Sequence, residues 1–388
     1  MEKNKCFDFL KLCDRIKDKK RTSLILARSK KYKINDARIL RPYAKCGFFS
    51  LSDLKKINDI KRRKILSSID EFVVNNSCAT KIKLPKKLTT TLCKILGALC
   101  ADGYLHENKL RNKNNYWIEL DDKDKIAIEK FSEWFYQEFA YKAKIHRHPK
   151  FHMWSIDATN KIIGRFLHRL TRFPLGKKSE FIDMPSLIKK YSKKYQKAFW
   201  VGFLTFDGSV NLSGTIEVLL RSKYMIRSIS TFLKSEGLSI TTHKIPDKNG
   251  FWRIHISNPP KNQLKKWLTL FEPGTRAWKR IYYSIYKFDG KAKNERGAIK
   301  SLYRLYPMTN SSKLSITDVF YKVKKVKVTN NQKLAKSLKI DLDTLRKYRN
   351  LLHETHMIKT MKCRKKGYHE IIIKYNPHIR TWRIPKDD

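Results

Sequence analysis

Two aspartates are the residues most able to do chemistry in this sequence. Asp102 ends the phrase ILGALCADG (Ile95 to Gly103), and Asp207 ends WVGFLTFDG (Trp200 to Gly208). Each phrase is an uncharged apolar run that stops at Asp-Gly, with a glycine, Gly97 or Gly202, at the same position upstream of the acid. A phrase that recurs at domain-scale distance points to a duplicated unit. Two carboxylates brought together repel, and both stay ionised only when a cation sits between them. A hard divalent metal, Mg²⁺ or Mn²⁺, suits that place, because it accepts one or two carboxylates and completes its shell with phosphate oxygens and water. A third Asp-Gly, Asp289-Gly290, lacks the upstream glycine and runs into a lysine-rich stretch, so it stands apart.

The elements that must position these acids follow from the pattern. Each apolar run is long enough for a buried helix, and Gly97 and Gly202 let two such helices approach backbone to backbone. Side by side, they place both aspartates at helix C-termini that already carry partial negative charge. Downstream, alternation and helical spacing predict the same element order twice. In the first half, strands are expected near Tyr104–Lys109 and Tyr116–Asp121, a helix over Lys123–Ala140, a hairpin of Lys142–His148 and Phe151–Asp157, and a helix over Asn160–Leu170. In the second, the strands are Val210–Leu212 and Thr215–Arg221, the helix Tyr224–Glu236, the hairpin Ser239–Ile245 with Phe251–Ser257, and the closing helix Gln263–Phe271.

Strand alternation separates two faces. Ala143 and Ile145 oppose Lys142, Lys144, His146 and His148; Trp252, Ile254 and Ile256 oppose Arg253, His255 and Ser257; Val218 and Leu220 oppose Glu217 and Arg221. The expectation is one apolar face under helices and one open basic face. A twisted basic ribbon fits the DNA major groove, which makes Lys142, Lys144, His146, Arg221, Arg253 and His255 candidate DNA contacts. Metal binding by His146 and His148 is disfavoured by Lys142, Lys144 and Arg147 beside them.

Charge supports such a partner. The 388 residues hold 86 Lys and Arg against 35 Asp and Glu, a net +51, far beyond what solubility requires. No apolar run is long enough to span a bilayer and the N-terminus lacks a signal-peptide pattern, so the expected partner is nucleic acid and not a membrane. Seven cysteines, an odd number without C-x-x-C, exclude a disulfide framework and a zinc finger. They suit a reducing compartment, cytoplasm or organellar matrix, and not secretion.

The flanks read differently. Residues 1–84 are expected to be a basic helical region. Leu51, Leu54, Ile57, Ile60, Ile65, Leu66, Ile69 and Phe72 recur at helical spacing, interrupted by Lys61-Arg62-Arg63-Lys64; the alternatives are an accessory DNA-binding module and a solvated basic arm. The repeated units are expected at 85–180 and 181–290, followed by a charged linker at 291–312. In 313–388, helices Gln332–Leu338 and Asp343–His353 meet at a tight turn, the second capped by Asp341 or Asp343. A hairpin, Ile358–Cys363 with His369–Tyr375, follows, with the basic tip Arg364-Lys365-Lys366-Gly367. That order is similar to a winged helix-turn-helix, although Lys339 stands where the turn often has glycine. Thr344, Arg346, Lys347 and Arg349 would be its candidate groove or phosphate contacts; the alternative is a small helical protein-interaction domain.

The two phrases resemble the paired LAGLIDADG motifs of single-chain homing endonucleases. The segment LGKKSEFIDMPSLIKK, Leu175 to Lys190, resembles the lysine-and-proline stretch that precedes the second motif in that family. The likeness covers about Leu84 to Lys287. It implies an α+β fold of two pseudo-symmetric αββαββα units forming a β-saddle on a long DNA site, and a metal-dependent double-strand cut with staggered ends. It makes Asp102 and Asp207 the metal ligands. It places a basic residue near each scissile phosphate, for which Lys178 is the first candidate and Lys123 and Lys223 are alternatives. The acid two positions before each motif's last acid is replaced, by Cys100 and Thr205, and Phe206 is bulky where a small residue is usual. Two other functions share the framework: an RNA maturase holding intron RNA, and a DNA-binding regulator with a retired nuclease core. Retention of both aspartates weighs against a pure maturase, leaving a bifunctional nuclease and maturase open, and against the regulator. An intein is disfavoured by the opening Met1-Glu2 and the lack of a terminal His-Asn pair. With both motifs on one chain, the expected active form is a monomer.

The charge excess generates a prediction. If roughly 6–10 phosphates are contacted, affinity for duplex DNA should fall about 10³–10⁵-fold between 50 and 200 mM salt. Fluorescence anisotropy against salt tests this, and a flat response would point to a protein partner instead.

Overall fold

The computed structural model describes residues 6–13, 25–29, 48–74, 80–108, 115–148, 153–210, 215–257, 259–286, 290–305, 314–365 and 368–384. The chain is a mixture of helices and antiparallel sheets that divides into two compact units. One comprises Met1–Gly208, Val218–Ile254 and Leu270–Glu272; the other comprises Ser209–Glu217, His255–Thr269 and Pro273–Asp388.

In the first unit, strands β1 (Ile25–Arg28), β2 (Phe49–Ser50) and β3 (Glu71–Val74) form an antiparallel sheet in the order β2-β1-β3, with helix α1 (Asp59–Ser68) between the last two. This corrects the expectation of a helical N-terminal region. The apolar run at helical spacing is spread over three elements: Leu51 and Leu54 lie in and around a 3-10 turn, Ile65 on α1 and Phe72 on β3. Asn58 starts a fresh helix by accepting the Ile60 N–H, and the aromatic and β-branched Phe72-Val73-Val74 favours a strand. Ile60 lies 81% exposed on α1 and never joined the core.

The motif helices are α2 (Thr90–Ala101) and, further on, α6 (Lys193–Asp207). Thr89 caps α2, its hydroxyl oxygen accepting the Leu92 N–H at 2.9 Å while donating to Glu138 at 2.8 Å. Burial pushes the Glu138 carboxyl up to about 7. The two helices cross where their glycines lie. A Cβ on Gly97 would come 2.0 Å from the Phe199 carbonyl oxygen, and one on Gly202 would come 2.0 Å from that of Lys94. Around this crossing Leu92, Ile95, Leu96, Leu99, Phe199, Trp200, Phe203 and Leu204 are all fully buried.

After α2 come β4 (Gly103–Asn108), β5 (Asn115–Asp122), helix α3 (Lys125–Phe139), β6 (Lys144–Arg147), β7 (Trp154–Thr159) and helix α4 (Lys161–Arg165), which continues as a π turn, Phe166–Leu170. The sheet runs β4-β5-β7-β6, antiparallel throughout. Its apolar face, with Leu105, Ile118, Leu120, Ile156 and Ala158, is buried, and α3 packs on β5 and β7. A short helix, α5 (Ser186–Lys189), precedes α6. Then β8 (Gly208–Val210), β9 (Ile216–Leu220), α7 (Lys223–Ser235), β10 (Thr241–Thr242), β11 (Trp252–Ile256) and α8 (Lys261–Leu268) repeat the order, with strands arranged β10-β11-β9-β8. These are the elements expected from the sequence, with ends moved by a few residues.

The C-terminal part holds helices α9 (Arg276–Tyr286), α10 (Glu295–Leu305), α11 (Ile316–Val326), α12 (Asn331–Leu338) and α13 (Leu342–Glu354). It also holds β12 (Gly290–Lys291) paired with β16 (Arg383–Ile384), and the sheet β13-β15-β14 of Val328–Asn330, Tyr368–Tyr375 and Ile358–Lys365. The expected linker at 291–312 is corrected: its described part is ordered. Ala292, Ala298, Ile299 and Leu302 enter the same core as Phe320, Leu345, Leu352 and Trp382. The reason lies in a narrow apolar stripe on α10, masked in composition by the charges on its other side. Residues 306–313, and Lys366 and Gly367 of the basic tip, lie outside the described residues. Asp341 caps α13 by accepting the Thr344 N–H. Lys339 adopts φ 53, the left-handed conformation that glycine would supply more cheaply. Among the described residues no helix is long and apolar enough to cross a membrane.

Gly97→Ala or Gly202→Ala must push two backbones apart, so each should destabilise the protein by more than the ~1–3 kcal/mol of ordinary overpacking. A thermal melt checks this, with Ile60→Ala as comparison, since that side chain is 81% exposed on α1.

Candidate active site

The end of each motif helix presents its acid. Asp102 is the C-cap of α2, its N–H still bonded to the Ala98 carbonyl, and Asp207 is the last residue of α6. Solvent reaches Asp102 from one side and Asp207 is half-buried, while protein closes round the remaining directions. Burial pushes Asp102 up to about 6; the Lys178 ammonium works against this and the Asp121 carboxylate adds to it. Asp207 is held well above the carboxylate range, first by burial and then by the charge of Asp102, with Lys178 opposing and Asp122 adding. The two aspartates and Lys178 therefore share one electrostatic site.

Lys178 is positioned by its own segment. Its Nζ donates to the Ala101 carbonyl at 3.1 Å, at the C-terminus of α2. Its carbonyl accepts the Ile182 N–H at 2.8 Å, and Gly176 at φ 70 donates its N–H to Leu105. Burial lowers the Lys178 pKa, while Cys100, Asp207 and Asp102 raise it. The other two lysine candidates stand elsewhere. Lys223 opens α7 with its Nζ 5.1 Å from the centre of the Trp252 ring. Lys125, not Lys123, holds the matching place in the first half, 5.1 Å from Trp154. Lys123 is exposed at the end of β5.

Sequence reasoning passed over Asp121 and Asp122, which close β5 beside the site. The available signal was a pair of adjacent acids in a very basic chain, just before the Asp124 helix cap. In the second half the same places, before the Ser222 cap, hold Leu219 and Leu220. Asp121 Oδ1 is buried without a hydrogen-bond partner among the described residues.

The two replaced motif acids point into the helix packing. Cys100 is buried, and burial first of all pushes its thiol up to about 12. The Thr205 hydroxyl donates to the Val201 carbonyl at 2.7 Å and accepts the Glu272 N–H at 3.1 Å. A carboxylate would be costly at either place. Phe206 packs edge-on against Phe131 of α3, ring centres 6.3 Å apart.

The candidate DNA contacts divide. Lys142, Lys144, Arg221, Arg346 and Lys347 are exposed; Arg253 and His255 are half-buried. Arg221 lies over the Phe251 ring at 5.2 Å, and Arg346 pairs with Asp343 at 3.0 Å. Half-buried His146 lies 3.5 Å from Asp157. Arg349 is a correction: it is buried, and donates to Asn331 Oδ1 at 3.1 Å and Asn350 Oδ1 at 2.6 Å. It ties α12 to α13, because its place on α13 faces the neighbouring helix. The expected wholly basic face of the first sheet is corrected too. Register puts Glu119 opposite Tyr104 and Asp157, Asp157 opposite Lys144, and Asp121 opposite Ser155. The centre of that face is acidic, and burial together with Asp121 and Asp157 raises Glu119. The basic residues lie along β6.

No family profile matches the chain, and no curated protein matches it either. Solved structures do. I-DmoI in complex with DNA and Mn is 18% identical, covering 47% of this chain and 96% of its own, with a TM-score of 0.37. The homing endonuclease I-WcaI bound to its DNA recognition sequence is 14% identical over 50% of this chain and 85% of its own, TM-score 0.33. The N-terminal LAGLIDADG domain of DUF199/WhiA is 12% identical over 47% and 80%, TM-score 0.31. These structural neighbours come from the family that the two motifs resemble.

Because Asp102 is raised, its ionisation costs the metal-free fold stability as pH climbs from about 4 to 6, and the cost stays in full above that. Metal-free Asp102→Asn should therefore melt higher than the parent at pH 8, by about 1 kcal/mol after solvent screening, with the gap closing below about pH 4. A variant less stable at pH 8 would contradict the raising of the Asp102 carboxyl by burial.

Proposed function

We propose that the protein is a site-specific DNA endonuclease making a metal-dependent, staggered double-strand break in a long target. The observation that carries this reading is the meeting of Asp102 and Asp207 at the ends of two glycine-crossed helices, with Lys178 beside them. The donor set fits a hard divalent cation. The two acids bring only oxygen ligands, and solvent reaches the site at Asp102. Among the described residues no cluster of three or more His, Cys, Asp or Glu forms a closed metal site. Two carboxylates with positions left for phosphate and water are the arrangement Mg²⁺ or Mn²⁺ takes.

Asp102 and Asp207 would hold the ion. When bound, it supplies Lewis-acid polarisation of the phosphate and an activated water. Lys178 contributes a cation that the protein fixes in advance through Ala101, so charge developing on the phosphate oxygens meets a donor already oriented. The buried Cys100 and Thr205 keep competing charges out of the helix interface behind the acids. Both motifs lie on one chain, so the site is complete in a monomer.

We read the two four-stranded sheets as the saddle that holds double-stranded DNA, with Lys142, Lys144, Arg221, Arg253 and His255 among its contacts. The C-terminal order α11, β13, α12, α13, β14, β15, with its sheet ordered β13-β15-β14, supports a winged helix-turn-helix. In it α13 would present Arg346 and Lys347 to a groove. The retained acid pair favours a working nuclease over a regulator with a retired core.

Purified protein with Mg²⁺ should cut a duplex library carrying its target, and a chelator should stop the cut. Asp102→Asn and Asp207→Asn should abolish cleavage while binding in a gel-shift persists, and Lys178→Met should slow turnover roughly 10²-fold. Both aspartate variants cutting like the parent would end this reading.

A further inference from the structure

On the helical side of the second motif lies a cavity that the acid pair does not use. It is lined by Met184, Lys189, Gln196, Arg227, Ser228, Thr231, Phe232 and Ser235. It is open to solvent on one side, and its volume of about 290 Å³ leaves room for a ligand larger than a bare ion. Arg227, Thr231 and Ser235 sit four residues apart on the solvent side of α7, one stripe of a helix whose other side buries Met225, Ile229 and Leu233.

The wall is organised from within. The Asp183 carboxylate accepts the Ser228 hydroxyl at 2.6 Å and the Met184 N–H at 2.7 Å, and it pairs with Lys189. This holds the Lys189 ammonium at the rim and leaves its other N–H donors to face a ligand. Gln196 Nε2 donates to the Lys189 and Tyr191 carbonyls, both at 3.1 Å, and so pins the turn between α5 and α6. Lys193 reaches the Ser235 carbonyl at 3.4 Å, adding a second cation beside the mouth. Arg227 is exposed, and none of the described residues pairs with its guanidinium. The acid of the cavity is thus satisfied, a guanidinium, an ammonium and the Thr231 hydroxyl remain as donors, and Met184 and Phe232 give an apolar surface.

We infer that this cavity binds a phosphate group carried on a nucleotide-sized ligand. Arg227 and Lys189 take the phosphate oxygens in charge-assisted hydrogen bonds, and the attached group lies against Phe232 and Met184. The inference needs neither Asp102 nor Asp207 and stands apart from the nuclease reading. The phosphate has two sources, a free nucleotide or a nucleic-acid backbone.

The test is fluorescence anisotropy of the full chain with a fluorescent nucleoside monophosphate, the matching nucleoside serving as the phosphate-free probe. The monophosphate should bind and the nucleoside bind at least about tenfold more weakly. Arg227→Ala should weaken the monophosphate about tenfold or more, and Arg227→Lys should recover part of the loss. Lys87→Ala, which removes one exposed charge ahead of α2, should leave binding unchanged. Displacement by an unlabelled single-stranded 12-mer well below the concentration of free monophosphate needed assigns the site to a backbone phosphate; displacement only by monophosphate and inorganic phosphate assigns it to the free anion. Binding unchanged in Arg227→Ala, or weakened equally by Lys87→Ala, would overturn the site, because the surface charge would then be acting without a pocket.

Discussion

The close crossing of two helices at Gly97 and Gly202 is the constraint from which the rest of the molecule follows. No side chain fits there, because a Cβ on either glycine would run into the other helix's backbone. The helices must therefore be apolar and buried around the crossing, and their C-terminal acids come within electrostatic reach of each other. Two like-charged acids, each at the negative end of a helix dipole, are the electrostatic result. A protein selected for stability alone would place a neutral cap at such positions. On the nuclease reading, that cost is kept for the chemistry of the site.

Neighbouring residues divide the work of managing that strain. Lys178 relieves part of it through Asp102 and Asp207, and its bond to Ala101 uses an orphan carbonyl of α2. Cys100 and Thr205 stay neutral because the crossing buries them. Asp121 and Asp122 act in the opposite sense and have no counterpart in the second half, where Leu219 and Leu220 stand. The halves thus share a framework and a pair of stacked cations, Lys125 on Trp154 and Lys223 on Trp252, but not a charge pattern. The repeat is geometric, and the chemistry at its centre is unequal on its two sides.

Much of this was legible in the sequence, and the exceptions have specific causes. The motif helices, the β-strands after them and the order of elements are set by local pattern, and local pattern survived folding. The N-terminal sheet was hidden because Leu51, Leu54, Ile65 and Phe72 keep helical spacing by coincidence across a turn, a helix and a strand. Helix α10 was hidden because its charges outnumber its apolar stripe of Ala298, Ile299 and Leu302. Arg349 was misread because residue type says nothing about which side of α13 faces α12. The acidic centre of the first sheet is set by register across the strands, which brings Glu119 and Asp121 to that face, and alternation along one hairpin does not carry it. In each case the missing information was a tertiary neighbour.

The charge distribution ties these features together. A net +51 repels metal ions and attracts polyanions over a distance set by the Debye length, about 8–10 Å at physiological salt. A divalent cation can therefore settle only where the local field is reversed. Asp102, Asp207, Asp121 and Asp122 reverse it at one place, and Glu119 and Asp157 continue the acidic patch over the first sheet. On the nuclease reading, the basic background delivers the phosphate and the acidic centre retains the ion, and the two meet only where the motif helices end. On that reading Asp121 and Asp122 hold the acidic field beside Asp102 and Asp207, and Lys178, fixed by the Ala101 carbonyl, is the cation set among them.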